Sequence, residues 1–143
     1  MQKFLSTSPT QTKKVAQMLS ENLRGGDVVL LNGGLGAGKT TFTQGLAFSL
    51  GVTKNVVSPT FTIIKEYYGR FRLFHIDMYR INNEIELDEL GIDDCFSDDA
   101  IVVIEWNKAM IMEQRIISVE IDTLDIENRI ITIDGTFPLE KPY

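Results

Sequence analysis

Apolar residues recur along this chain in two different patterns. Residues 28–31 are an apolar run that predicts a strand. Residues 100–104 are a continuous apolar run, which is typical of a central strand buried on both faces. Phe42, Leu46 and Leu50 instead recur every four residues, which is the spacing of one face of a helix. The succession of strand, helix and strand predicts an α/β fold.

A further helix is predicted before the first apolar run. Ser8 is suited to cap this helix, Pro9 to occupy its first turn and Gln11 to complete a capping box. Apolar residues then follow at helical spacing, and a glycine pair at positions 25 and 26 predicts the end of the helix (Val15, Met18, Leu19, Leu23).

Two pairs of segments predict antiparallel hairpins. Residues 61–68 and 71–76 are strand-like and are separated only by Gly69 and Arg70, which favours a tight turn. Near the end of the chain, apolar and polar residues alternate through 117–121 and again through 131–133. That alternation predicts a terminal hairpin.

These elements predict one domain that spans residues 1–143, with a mixed, partly antiparallel central sheet. Short helices are expected at residues 82–90 and 108–114. Residues 136–143 carry no periodic pattern and are expected to form a frayed tail.

Composition narrows the class of protein. The 143 residues are 43% hydrophobic and 24% charged, as in ordinary globular domains, and no apolar run is long enough to cross a membrane. The N-terminus lacks the apolar stretch of a signal peptide, which favours a cytoplasmic location. A single cysteine, Cys95, rules out an internal disulfide, and a single histidine, His75, argues against a zinc site.

The net charge of −6 bears on possible partners. Direct binding to the backbone of tRNA or DNA needs a concentrated surface of lysine and arginine, so an acidic chain is a poor candidate for it. A local basic patch remains compatible with this total charge. Neither DNA nor a membrane is expected as a partner.

The sequence GGLGAGKTT at residues 33–41 matches the pattern Gly-x-x-x-x-Gly-Lys-[Ser/Thr], between a predicted strand and a predicted helix. Glycines let successive backbone N–H groups point at phosphate oxygens, and the start of the following helix favours the same anion. Lys39 is expected to reach the β- and γ-phosphates, and the Thr40 hydroxyl to bind Mg²⁺. All nine residues are predicted to hold nucleotide (Gly33, Gly34, Leu35, Gly36, Ala37, Gly38, Lys39, Thr40, Thr41).

Two acidic residues follow apolar strands at the positions where phosphate-loop proteins place their metal-binding acids. Glu105 follows the run at 100–104, and Asp77 follows the strand at 71–76. Either carboxylate could bind Mg²⁺, directly or through water, or orient the attacking water. An acid after a strand can also be a solvated loop residue, and for Asp77 the two interpretations are evenly balanced.

Other residues have both a functional and a structural interpretation. Thr60 and Thr62 could turn hydroxyls towards the γ-phosphate or be ordinary strand threonines. Arg80 could stabilise transition-state charge or lie on the surface. Trp106 could stack on a base or pack at a strand end, and for His75 a packed or hydrogen-bonding role is favoured.

Five segments occur in a fixed order at close spacing: GGLGAGKTTFTQGLAFSLG, SPTFTIIKEY, LFHIDMYR, LDELGIDD and IVVIEW. Together they resemble the bacterial TsaE family, also called YjeE, the ATPase component of tRNA threonylcarbamoyladenosine synthesis. The resemblance covers nearly the whole chain. The phosphate loop alone is generic, but SPTFT, HIDMYR and IEW together are specific to that family.

The resemblance implies a P-loop fold with helices on both faces of the sheet, ATP and Mg²⁺ as cofactors, and the TsaB–TsaD pair as partners. tRNA is then reached indirectly, through that complex, and hydrolysis is slow and resets the complex. Thr40 and Glu105 match the Mg²⁺ ligands of the family, Asp77 matches an acid important for activity, and Trp106 matches a tryptophan beside the site. Lys39, Asp77 and Glu105 are therefore the expected catalytic residues, and Thr60 joins the expected nucleotide-binding set.

One loop residue departs from the family. Its members usually read Gly-Asp-Leu-Gly, and here the aspartate position is Gly34. The backbone N–H groups that bind phosphate survive this change, but a carboxylate near the γ-phosphate or the partner surface is lost. Nucleotide binding is expected to persist, whereas hydrolysis or partner coupling is expected to differ.

Two other functions remain open from the sequence. A small-molecule kinase would use the same loop, although no arginine-rich lid segment follows the core strands. A binding module gated by nucleotide but without hydrolysis would also use it. Phosphoryl transfer to a metabolite would favour the first, and negligible turnover the second.

Overall fold

The computed structural model describes residues 1–59, 63–108 and 114–135. The strands of this part of the chain are β1 (Gln2–Ser6), β2 (Val28–Gly33), β3 (Ile64–Tyr68), β4 (Arg72–Asp77), β5 (Ala100–Glu105), β6 (Ile116–Thr123) and β7 (Arg129–Asp134). Its α-helices are α1 (Pro9–Ser20), α2 (Lys39–Ser49) and α3 (Glu84–Glu89), and a 3₁₀ helix spans Ile92–Cys95. None of these helices is long and apolar enough to cross a membrane.

The strands form one mixed sheet in the order β1-β7-β6-β2-β5-β4-β3. β2 lies between β5 and β6 and is parallel to both, and β4 is parallel to β5. The pairs β3–β4, β6–β7 and β1–β7 are antiparallel. The predicted α/β fold with a partly antiparallel sheet is therefore confirmed, as are both predicted hairpins.

The sheet separates two apolar clusters, which makes the fold a three-layer one. On one face, α1 and α2 pack against the strands, and Phe42, Leu46 and Leu50 form part of that cluster as their spacing predicts. On the other face, Leu87 of α3 and Ile92 of the 3₁₀ helix pack against β4 and β5. Every residue of β5 is buried, which agrees with the prediction of a strand covered on both faces.

The first strand and the end of the first helix differ from the sequence-based expectation. β1 was not predicted, because only Phe4 and Ser6 of this edge strand are buried and they give a weak alternating signal. α1 ends at Ser20, short of the glycine pair, although Leu23 beyond it is still buried. Residues 109–113 of the predicted helix at 108–114 lie outside the described residues, and so does the whole predicted tail at 136–143.

Candidate nucleotide-binding site

The loop of residues 33–41 connects β2 to α2 and has the backbone that its glycines allow. A Cβ at Gly33 would lie 2.9 Å from the carbonyl oxygen of Ile121, so the loop begins where the backbone passes close to β6. Gly36 and Gly38 have φ angles of +74° and +105°, which glycine adopts without steric cost. A Cβ at either would meet nothing within 4 Å, so open space lies beside the loop.

Arg129 at the start of β7 binds this loop from the opposite end of the sequence. Its Nε donates to the carbonyl oxygen of Ala37 at 3.0 Å, and Nη2 donates to that of Gly36 at 3.3 Å. Nη1 donates to carbonyl oxygens of the β6–β7 turn, including that of Asp125 at 2.8 Å. Arg129 is not predicted from the sequence, since it belongs to no motif and lies 92 positions from Ala37.

A cleft of about 560 Å³ opens beside the loop. Ser58, Tyr79 and Arg80 form part of its wall, together with most of the residues that the sequence singled out (Leu35, Gly36, Ala37, Gly38, Lys39, Thr40, Thr41, Asp77, Glu105, Trp106). Gly33 and Gly34 belong to the loop but do not line the cleft, and Thr60 lies outside the described residues. The structure thus brings the loop and both acidic residues to one place.

Glu105 is the centre of the polar contacts in this cleft. Its Oε1 lies 3.4 Å from Nζ of Lys39, and its Oε2 lies 2.6 Å from Nε2 of His75. The side chains of Lys39 and Glu105 are only 9% and 6% exposed, and His75 is fully buried. Burial raises the pKa of the Glu105 carboxyl, but the His75 hydrogen bond and the Lys39 charge lower the pKa more, so Glu105 titrates below its ordinary range.

His75 is a packed, hydrogen-bonding residue, which is the role that the sequence favoured. It lies on β4 beside Val103 of β5, and its side chain reaches along the sheet to Glu105. Among the described residues, the second ring nitrogen, Nδ1, is buried without a hydrogen-bond partner. Because the buried ring contacts Glu105 through Nε2, it fixes the position of that carboxylate.

Asp77 lies directly beside Glu105 in the sheet. The two residues are register partners at the carboxyl ends of the parallel strands β4 and β5. Asp77 is 8% exposed, and its Oδ1 accepts a hydrogen bond from the backbone N–H of Tyr79 at 2.9 Å. Two carboxylates at one edge of the sheet, next to the start of α2, form the arrangement expected of an Mg²⁺-assisted phosphate site.

Trp106 closes one side of the cleft. Its φ angle of 55° is unusual for a residue with a side chain, and it follows directly after β5. Nζ of Lys39 lies 4.4 Å from the ring centroid, which is within range of a cation–π contact. The ring of Tyr79 lies 5.3 Å away, tilted by 58°. Both aromatic side chains remain partly exposed, so an aromatic wall faces the open side of the cleft.

A glycine loop between a parallel strand and a helix, with a buried lysine and two strand-end acids beside it, defines a P-loop nucleotide-binding protein. Comparison with known proteins narrows this class. The family model described as "Threonylcarbamoyl adenosine biosynthesis protein TsaE" matches residues 6–131. The chain belongs to the TsaE family.

Relatives with the name tRNA threonylcarbamoyladenosine biosynthesis protein TsaE agree with this assignment. The protein of Bacillus subtilis is 47% identical over 105 residues, which are 73% of this chain and 65% of that protein. The protein of Treponema pallidum is 34% identical over 131 residues, which are 90% of this chain and 97% of that protein. The match therefore spans less than two thirds of the first relative and nearly all of the second.

A solved structure gives the same fold. The crystal structure of Bacillus subtilis YdiB superposes with a TM-score of 0.77 at 35% sequence identity. The match covers 94% of this chain and 84% of that chain. The P-loop fold assigned from the topology is therefore found in a protein whose sequence is also related.

Proposed function

We propose that this protein binds ATP with Mg²⁺ and hydrolyses it slowly, as the ATPase component of tRNA threonylcarbamoyladenosine biosynthesis. In this proposal it acts in the cytoplasm with a TsaB–TsaD heterodimer, and it reaches tRNA through that complex. Family membership supports the pathway, and the cleft supports the nucleotide.

Three parts of the chain meet in one cleft, and this observation is the main support for the proposal that the protein binds a nucleotide. The glycine loop leads from β2 to Lys39 at the start of α2, while Asp77 and Glu105 come from adjacent strands. A Cβ at Gly36 or Gly38 would meet nothing within 4 Å, so open space lies beside the loop. The residues present therefore fit a nucleotide phosphate and a hard cation, which prefers oxygen ligands.

Each residue has a distinct proposed role. Loop N–H groups and Lys39 hold the phosphates, and Trp106 covers the site. The Thr40 hydroxyl and the Glu105 carboxylate are the proposed Mg²⁺ ligands, and Asp77 orients the attacking water. Bound Mg²⁺ would neutralise charge that develops on the phosphates. Thr60 stays a proposed γ-phosphate contact from the sequence.

Reconstitution of the tRNA modification tests this function. Purified TsaB, TsaD, threonylcarbamoyl-adenylate and tRNA are incubated with and without this protein, and modified adenosine is quantified over many turnovers. We expect strong stimulation by the natural chain, and little by Lys39→Ala. Lys3→Ala is the matched control, because Lys3 is an exposed lysine on edge strand β1. If the natural chain does not stimulate the modification, the proposed role in this pathway is wrong.

A second candidate is nucleotide-gated assembly without useful hydrolysis. It is favoured by the contacts of Glu105, whose two oxygens are already held by Lys39 and His75. This candidate predicts that Glu105→Ala leaves ATP-dependent assembly with TsaB–TsaD intact and the modification rate unchanged. The ATPase proposal predicts instead that assembly persists while multi-turnover modification falls.

A further inference from the structure

A second groove lies towards the far end of α2 from the phosphate loop. It encloses about 670 Å³ between α1, the second half of α2 and residues 52–56. The two cavities share no lining residue. α2 has 11 residues and is therefore about 16 Å long, which keeps the groove apart from the nucleotide cleft.

The floor of this groove depends on a close helix crossing. A Cβ at Gly45 would lie 2.7 Å from the Cα of Lys13, so glycine is required for α1 to approach α2 so closely. The crossing fixes the backbone of Lys13 against α2. The Lys13 side chain therefore starts from a rigid support and not from a loop.

The groove is basic in an acidic protein. Lys13, Lys14 and Lys54 line it and are exposed, and no aspartate or glutamate of the described part of the chain lines it. Within the described ranges, none of these three lysines is in an ion pair with a carboxylate. The whole chain has a net charge of −6, so this concentration of positive charge is local.

Phe48 gives the groove an aromatic surface. It projects from α2 and is 82% exposed, although an aromatic side chain of this size is usually buried. Gln17 and Asn55 beside it supply neutral amide donors and acceptors. Ammonium groups for phosphates, an aromatic face for stacking and amides for base edges are the combination that binds unpaired nucleotides.

We propose that this groove binds a single-stranded segment of RNA. Lys13, Lys14 and Lys54 contact its phosphates, and one unpaired base stacks on Phe48. An acidic protein surface could also pair with the lysines, but each unpaired nucleotide supplies both a phosphate for a lysine and a flat base for the exposed ring. The inference deepens the proposed function and rests on it for one point, that the natural RNA is the tRNA of that pathway. The TsaB–TsaD complex still brings this tRNA, and the groove adds one direct contact with an unpaired segment of it.

Fluorescence anisotropy of the isolated full chain with a labelled single-stranded oligoribonucleotide, about ten nucleotides long, tests the proposal. We expect Phe48→Ala to weaken binding roughly tenfold, and Phe48→Tyr to retain it because the ring can still stack. Lys13→Gln with Lys54→Gln should also weaken binding. The slope of log affinity against log salt should fall by about 1.4 in that double variant, since each lost phosphate contact contributes about 0.7.

Lys3→Gln with Lys65→Gln is the matched control. Both of these lysines lie on edge strands away from the groove, and the change in net charge is the same. Binding that is absent from the natural chain, or lowered equally by both double variants, overturns the proposal. If the groove variants lose TsaB–TsaD association and keep RNA binding, the groove belongs to an acidic protein surface and the proposal is also wrong.

The test is separable from that of the proposed function. RNA binding is measured without ATP or partner proteins, whereas the reconstitution measures modification. A natural chain that stimulates modification but does not bind the oligoribonucleotide refutes the groove proposal alone. A natural chain that binds the oligoribonucleotide but does not stimulate modification refutes the proposed function alone.

Discussion

The pair Lys39–Glu105 should be coupled far more strongly than a surface ion pair. Its charged atoms are 3.4 Å apart, which corresponds to about 5 kcal/mol of attraction at an effective dielectric constant of about 20. Removing both side chains from water offsets part of this attraction. We expect a net coupling energy of about 2–3 kcal/mol, against about 0.2–1 kcal/mol for exposed pairs.

A double-mutant cycle measures this coupling. Lys39→Met, Glu105→Gln and the combined variant are unfolded with urea in the absence of nucleotide, and the free energies of unfolding are compared with that of the natural chain. Gln at position 105 keeps an acceptor for His75, so the cycle isolates the contact between Lys39 and Glu105.

The pair Arg72–Glu66 provides the control cycle within the same protein. Its atoms are closer, at 3.0 Å, but its side chains are 38% and 30% exposed. Solvent screening should hold its coupling below about 1 kcal/mol. If the two cycles give equal coupling energies, burial does not strengthen the cleft pair and the reasoning is refuted.

The same pair should affect nucleotide binding. In the proposed function, Lys39 exchanges Glu105 for a phosphate, and a free carboxylate would then face the polyanion unless Mg²⁺ is present. Glu105→Gln should therefore bind ADP about tenfold more tightly than the natural chain in EDTA, and lose most of that advantage in Mg²⁺. Isothermal titration calorimetry in both buffers measures the two affinities, and tighter binding in both would contradict this account.

Three further predictions concern single sites. Arg129→Ala should weaken ADP binding by roughly tenfold, because the carbonyl of Ala37 loses its donor. Isothermal titration calorimetry measures the affinity, and Arg24→Ala, which replaces an exposed arginine, is the control. Gly34→Asp should change the free energy of unfolding by less than about 0.5 kcal/mol, since a Cβ there meets nothing within 4 Å. The same variant should change the ATPase rate or the affinity for the partners. If neither changes, the expectation that Gly34 alters hydrolysis or partner coupling is wrong. Burial raises the pKa of the Cys95 thiol to about 11, so the folded chain should react with a thiol reagent at pH 8 at least tenfold more slowly than the urea-unfolded chain, and similar rates would contradict that burial.

The sequence predicts the parts of this fold whose signals are local. The apolar run of β5, the four-residue spacing of α2 and the tight turn between β3 and β4 each depend on neighbouring residues, and each appears in the structure. β1 escapes prediction because an edge strand that buries two side chains has almost no periodic signal. Its place beside β7 depends on contacts that no local pattern encodes.

The residues of the candidate site also differ in whether a local sequence pattern predicts them. The sequence predicts the loop and the strand-end acids because phosphate chemistry requires particular residues at fixed offsets, and the structure brings them to one cleft. The sequence does not predict Arg129 or the contact between His75 and Glu105, since both join distant segments through the strand order of the sheet. A residue that holds a motif in place can be of several types and can lie at any distance along the chain. Only the three-dimensional structure therefore identifies it.

The charged side chains around the proposed phosphate site are balanced in sign. Lys39 and Arg80 line the cleft with Asp77 and Glu105, so two cations face two acids. Before nucleotide binds, the buried lysine is neutralised by Glu105 and shielded by Trp106, which lowers the cost of holding it out of water. In the proposed function, a phosphate that binds Lys39 would release the Glu105 carboxylate next to Asp77 and beside the anion, where it would require a cation. We therefore propose that Glu105 stabilises Lys39 before nucleotide binds and would hold Mg²⁺ afterwards, and its contact with His75 keeps the carboxylate in place.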